Sequence, residues 1–202
     1  LTKHLTFSIA SLLFAVFIAG CATSKDPYRN KALRLQKRLD VEDTSYLYAL
    51  PYAKGKSHLV VQAYFGTFTH KNRAAIDFKM KEGTKIYAVR DGVVVRLEER
   101  NTKGGNNKRY RQYANLLVIA HDDGTRAGYW HLKQNGALVN MGDTIKKGQL
   151  IALSGKTGYA AFPHLHFLVW SNNNNGWQQV PTRFNTGRGP RYLRPFRWYR
   201  NK

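Results

Sequence analysis

Residues 116–132 read LLVIAHDDGTRAGYWHL. The apolar run Leu116 to Ala120 leads into Asp123-Gly124, and a second run ending in Tyr129-Trp130-His131-Leu132 follows. An Asp-Gly pair between such runs turns the chain tightly, because glycine accepts the positive φ a two-residue turn requires. The stretch is an antiparallel hairpin, Leu116–His121 against Thr125–Leu132. Outward from it, the same kind of segment recurs. Tyr46–Tyr52, His58–Tyr64, Ala74–Met80, Thr84–Val89 and Val93–Glu98 precede it, and Gln149–Ser154 and His164–Trp170 follow. All are short, rich in β-branched or aromatic residues, and bounded by Gly, Asn or Asp. No helical pattern of 10–15 residues alternates with them, so a parallel βαβ sheet is excluded. A mostly β, antiparallel domain with little helix is expected over residues 46–202.

The 202 residues include 33 Lys+Arg and only 12 Asp+Glu, a formal charge of +21 that suits a polyanionic partner: nucleic acid, anionic lipid or cell-wall polymer. Hydrophobic residues at 43% and aromatics at 13% exclude a disordered basic arm. Cys21 is the sole cysteine, which excludes an intramolecular disulfide and a cysteine-based zinc cluster. Residues 1–20 combine Lys3 and His4 with an apolar run from Leu5 to Ala19, the form of a signal peptide and short for a membrane span. Ile18-Ala19-Gly20-Cys21 resembles the bacterial lipobox, whose cysteine becomes the lipidated first residue. Residues 1–20 are therefore expected to be a lipoprotein signal peptide, with Cys21 as the lipidation site. Ala22 in place of Asp fits retention at the outer membrane. Residues 21–45 form the polar tether, in which Leu35 and Leu39 mark a short helix at most. Two basic segments complete the map. Residues 101–112, NTKGGNNKRYRQ, form an exposed, mobile loop, and seven of the ten Lys/Arg after Asp143 fall between Arg183 and Lys202 as a basic, aromatic C-terminal extension.

Five histidines lie in the central span: His70, His121, His131, His164 and His166. In a strand, His164 and His166 share one face with Cα atoms roughly 6.6 Å apart, while Leu165, Phe167 and Val169 face the other side. One imidazole can then hold a metal while its neighbour reaches what the metal binds. Asp77 sits among Ala75, Ile76 and Phe78, and a buried carboxylate in such company needs a cation.

In order along the chain, His70-x6-Asp77, Tyr129-Trp130-His131-Leu132 and Pro163-His164-Leu165-His166-Phe167 match the signature of the lysostaphin/LytM-type zinc endopeptidases. The flanks Gly83-Thr84-Lys85-Ile86 and Asp91-Gly92-Val93-Val94 resemble that family's strand pair after the first motif. The resemblance spans about Phe65 to Phe184. It implies a mostly β, antiparallel, sandwich-like core (a duplicated hybrid motif) with one zinc ion, Zn2+, held by His70, Asp77 and His166. It also implies that His131 and His164 act on a water and on the tetrahedral oxyanion, that His121 is structural, and that Asn115 is a candidate substrate contact. The implied activity is hydrolysis of peptide cross-links in bacterial peptidoglycan, at the D-Ala–diamino acid bond, by an outer-membrane lipoprotein facing the periplasm. Peptidoglycan and, through Cys21, the membrane are the expected partners. An exported chain is not expected to meet nucleic acid.

Three departures from the family pattern carry weight. Six residues separate His70 from Asp77 where many relatives have three, including a glycine. Ala160-Ala161-Phe162 replaces a small, hydroxyl-bearing stretch, and the Phe162 side chain would narrow the cleft. No recognised wall-binding module is present. The alternative is a catalytically silent wall-binding protein or amidase activator on the same fold, although all five metal and catalytic positions are filled here.

Overall fold

The computed structural model describes residues 28–40, 45–173 and 176–202. Helix α1 (Arg29–Lys37) comes first, followed by β1 (Leu47–Tyr48), β2 (Ser57–Gln62), β3 (Ala75–Lys79), β4 (Lys85–Tyr87) and β5 (Gly92–Glu98). After β6 (Gly104–Gly105) and a 3-10 helix (Lys108–Tyr113) come β7 (Leu116–Ala120), β8 (Thr125–Trp130), β9 (Leu132–Ala137) and β10 (Thr144–Ile145). The chain ends through β11 (Leu150–Ser154), β12 (Gly158–Tyr159), β13 (His164–Asn173), β14 (Gly176–Val180), β15 (Arg183–Thr186), β16 (Gly189–Tyr192) and β17 (Arg197–Arg200).

The main sheet runs β10-β5-β7-β8-β13-β3-β2-β17, with β14 added against β13. All its pairings are antiparallel. The hairpin β7–β8 is as expected, closing through Gly124 at φ 79°. Strand alternation sends Ile76, Phe78, Leu117, Ile119, Tyr129 and Phe167 to one face, where all are fully buried. Removing such side chains from water stabilises by about 1.5–3 kcal/mol each. Phe184 of β15 covers that face, with ring centroids 6.2 Å from Phe78 and 5.9 Å from Phe167. The small sheet β1-β15-β16 is thereby packed onto the large one. On the other face, Gln62, Asp77, His166 and Trp130 fall in one row across β2, β3, β13 and β8.

Two of the segments named above gain detail, and one expectation changes. In the tether, residues 29–37 are helical, and α1 buries Ala32, Leu35 and Gln36, with Gln36 Nε2 donating to the Leu193 carbonyl at 2.5 Å. Nine residues form no stable helix alone, so packing on the domain maintains it. Cys21, the leader and residues 41–44 lie outside the described residues. The C-terminal extension is part of the fold: β17 pairs with β2 at the sheet edge, and Tyr52 Oη donates to the Tyr199 carbonyl at 2.7 Å. Finally, the 101–112 stretch is built rather than loose. It holds β6, paired in parallel with β12, and most of the 3-10 helix, whose first N–H groups are met by the Asn107 side chain.

Candidate active site

His166 of β13 and Asp77 of β3 are direct cross-strand partners. Opposed residues of an antiparallel pair bring their Cβ atoms to about 5 Å, and here His166 Nδ1 lies 2.8 Å from Asp77 Oδ1. His70 arrives from the connection between β2 and β3. That connection closes on itself, with Arg73 N–H donating to the His70 carbonyl at 2.9 Å and Phe65 N–H to the Arg73 carbonyl at 2.8 Å. The six-residue spacing is thus absorbed by a turn. His70 Nε2 lies 3.3 Å from Asp77 Oδ2 and 3.2 Å from His166 Nδ1. One donor atom from each of the three residues lies within 4.8 Å of the other two.

His164 precedes His166 by two residues and shares its face. Its Nδ1 is 2.8 Å from the Phe162 carbonyl, and His131 Nδ1 is 2.7 Å from the Thr157 carbonyl. A carbonyl can only accept, so in both rings Nδ1 carries a proton and donates it, which leaves Nε2 turned away from that anchor. The two rings stand 4.6 Å apart between centroids, and His131 is 5.8 Å from His166. His131 sits where the chain leaves the main sheet between β8 and β9, in the left-handed region at φ 65°. A non-glycine residue there costs on the order of 1–3 kcal/mol. The Gly155 N–H, donating to the His131 carbonyl at 2.8 Å, helps hold the corner.

No Lys or Arg forms an ion pair with buried Asp77 among the described residues; its ionic neighbours are His70, His164 and His166. Burial works against ionisation of Asp77, yet His70 and His166 hold its carboxyl well below the usual carboxylate range. Burial, opposed by Asp77, pushes His166 down to about 4. Burial and the neighbouring His164 push His131 down to about 3. Near pH 7 these two imidazoles are neutral. A buried carboxylate with imidazole nitrogens beside it and no Lys or Arg paired to it among the described residues is a donor set that a divalent cation would satisfy. Donors about 2.0–2.1 Å from a tetrahedral centre stand about 3.3 Å from one another. The 3.2 Å between the two imidazole nitrogens fits that arrangement, and Asp77 sets one oxygen against each ring, Oδ1 at 2.8 Å from His166 and Oδ2 at 3.3 Å from His70.

Two further side chains stand beside the cluster. Asn115 is fully buried, with Oδ1 accepting from Asn101 N–H at 3.0 Å and Nδ2 donating to the Asn101 carbonyl at 2.9 Å, so its amide clamps the chain there. Gln62 is the functional side chain that sequence reasoning missed: its Nε2 donates to Asp77 Oδ2 at 3.0 Å and its Oε1 accepts from His70 N–H at 3.1 Å. His121 donates from Nδ1 to the Asp91 carbonyl at 2.7 Å, in keeping with a structural place.

Two imidazoles and a carboxylate, flanked by two more imidazoles, are the donor set of the zinc metallopeptidase class. The chain belongs to peptidase family M23, whose sequence profile matches residues 71–178. It is 36% identical over 114 residues to the glycyl-glycine endopeptidase ALE-1 of Staphylococcus capitis, covering 56% of this chain and 29% of that protein. It is also 36% identical over 97 residues to the peptidoglycan DD-endopeptidase ShyB of Vibrio cholerae, covering 48% and 20%. The solved catalytic domain of lysostaphin from Staphylococcus simulans aligns at 30% identity over 61% of this chain and 87% of that one, with a TM-score of 0.44. The chain spans less than a third of the length of the two curated relatives.

Proposed function

We propose that this chain is a zinc endopeptidase that hydrolyses peptide cross-links of bacterial peptidoglycan, at the bond between D-Ala and the diamino acid of the neighbouring stem. The observation that carries the reading is the buried His70–Asp77–His166 cluster with the His131 and His164 rings beside it, each anchored through Nδ1 to a backbone carbonyl. His70, Asp77 and His166 would hold zinc. When bound, zinc supplies a Lewis acid that polarises a peptide carbonyl and acidifies water. His131, neutral and fixed through Thr157, accepts a proton at Nε2 and returns it to the leaving amine nitrogen. His164, held through Phe162 with Nε2 3.7 Å from Asp77 Oδ1, would orient the water and the developing oxyanion beside the cluster. Phe162 stands against His164 with ring centroids 5.1 Å apart and narrows the approach on that side.

The placement we infer is the outer membrane, facing the periplasm, through lipidation of Cys21; the lipobox-like Ile18-Ala19-Gly20-Cys21 supports it. Seven residues then separate Cys21 from Arg29 at the start of α1, at most about 28 Å of extended chain. The domain would work close to the lipid surface.

Mass spectrometry of muropeptides after digestion of sacculi tests this reading. Cross-linked dimers should become monomers with intact glycan, a chelator should stop the conversion, and zinc should restore it. His166→Ala should lose metal and activity together, whereas His164→Ala should keep metal and lose activity. A zinc-loaded protein that pellets with sacculi and leaves every cross-link intact would instead be the silent wall binder.

A further inference from the structure

From Arg100 to Gln112 the chain carries Arg100, Lys103, Lys108, Arg109 and Arg111 and no acidic residue. Among the described residues, none of the five forms an ion pair; the Lys and Arg ion pairs involve Arg34, Arg90 and Lys146. Three of the five cations are stacked on tyrosines. Lys103 lies 5.1 Å from the Tyr113 ring centroid, Arg109 lies 5.0 Å from Tyr110, and Arg111 lies 5.6 Å from Tyr159. Stacking restricts a long side chain while leaving its donors free for a ligand. An open groove of about 540 Å³ is lined by Lys103, Gly104, Arg109, Tyr110, Gln112 and Tyr113, and Arg111 stands in the 3-10 helix between two of these lining residues without lining the groove itself.

The groove is joined to the proposed reaction centre. Thr157, whose carbonyl orients His131, is followed by Gly158, which donates to the Lys103 carbonyl at 2.9 Å. Arg111 also acts on Arg73, which belongs to the His70–Asp77 connection. After burial, the Arg111 charge lowers the Arg73 pKa, and Asp77 opposes it. Two guanidiniums that repel one another beside a peptidase site are relieved by an anion between them.

We infer that this wall is a carboxylate-binding subsite, in which Lys103, Arg109 and Arg111 receive free carboxylate groups of a peptide laid across the metal cluster. The inference rests on the endopeptidase reading for the ligand's being a peptide. The planar guanidinium fork matches a carboxylate in two hydrogen bonds, and removing the negative charge forfeits both the match and the attraction.

The test uses the full chain and two soluble muropeptide preparations, one with free stem carboxylates and one with the same groups amidated, with dissociation constants measured for each. Wild type should prefer the free form by roughly tenfold or more. Lys103→Gln and Arg111→Gln, both at exposed side chains, should each shrink that ratio, while Arg111→Lys should keep most of it. The ratio is the readout, so general loss of fold, which would weaken both ligands, does not imitate the result. Equal affinity for the two ligands in the wild type, or a ratio unmoved in Arg111→Gln and Lys103→Gln, overturns the subsite. Preference without cleavage of either ligand supports the subsite and retires the endopeptidase reading.

Discussion

Gln62 uses all its amide capacity on the metal cluster's supports. Its Nε2 donates to Asp77 Oδ2 and Thr69 Oγ1, and its Oε1 accepts from the Thr69 and His70 backbone at 2.8 and 3.1 Å. One side chain therefore orients a ligand carboxylate and pins the turn that delivers a ligand imidazole. Outer partners of this kind are worth about 10–100-fold in metal affinity. Gln62→Ala should weaken zinc retention by that order in competition with a chromophoric chelator, and unchanged retention would mean Asp77 is oriented without it. His164 and His166 were legible because period two puts them on one face. Gln62 was not, because it depends on a bulge: Val60 opposes Phe78 and Gln62 opposes Asp77, so the extra residue rotates Gln62 from the core phase to the site face. His121 makes a separate residue-scale prediction. Burial first, and Arg90 next, lower its pKa below 6.5, while its bond to the Asp91 carbonyl works the other way. The unfolded chain therefore takes up a proton that the folded one resists. The stability at stake is fully present above about pH 6.5 and lost as pH falls toward the depressed folded value. Denaturation midpoints at pH 7.5 and pH 5 should differ less in His121→Gln, which still donates to Asp91 but does not titrate; an equal difference would clear His121.

At the scale of elements, the wall formed by β6 and β12 depends on a close approach. A Cβ on Gly104 would stand 1.9 Å from the Lys156 carbonyl oxygen, so only glycine lets the strands meet. Gly104→Ala should part β6 from β12, loosen the Gly158–Lys103 and Ala160–Gly105 backbone bonds, and shift Thr157 away from His131. A loss of about 1–3 kcal/mol in stability is expected, with faster amide exchange at Gly158 and a fall in turnover. Normal exchange at Gly158 would show the pairing to be dispensable. The central strands were readable because apolar alternation announces them. β9 and β17 were not, for a shared reason: each buries little. Only Leu132 and Gly136 are buried in β9, and only Tyr199 in β17, while Trp198 remains 68% exposed. Edge strands of that kind are recruited by partner backbone rather than by their own side chains. α1 was announced only by Leu35, since its other inward residues are Ala32 and a glutamine and Leu39 lies beyond its end.

For the whole molecule, the decisive quantity is the excess of cations. Several of the acidic residues are already committed, with Asp122 and Asp123 on Arg90, Asp91 on Lys146, Asp40 on Arg34, and Asp77 in the metal cluster. The surplus of Lys and Arg among the described residues therefore faces solvent largely unopposed, and β17 places Arg197 and Arg200 two strands from Asp77, at the edge of the sheet that bears the site. A surface of this sign draws a polyanionic wall over distances of about a Debye length, near 10 Å at 0.1 M salt. Capture and cleavage should then separate by their response to salt. Pelleting with intact sacculi should fall steeply as salt rises from about 0.05 to about 0.5 M, because many weak contacts are screened together. Turnover of a small soluble cross-linked muropeptide should fall less, since it meets only the groove and the metal cluster. Replacing Arg194, Arg197 and Arg200 together by Gln should reproduce the effect of salt on pelleting at low ionic strength. Parallel salt curves for sacculi and soluble muropeptide would place all the useful charge at the site itself and leave the C-terminal arginines without a part in capture.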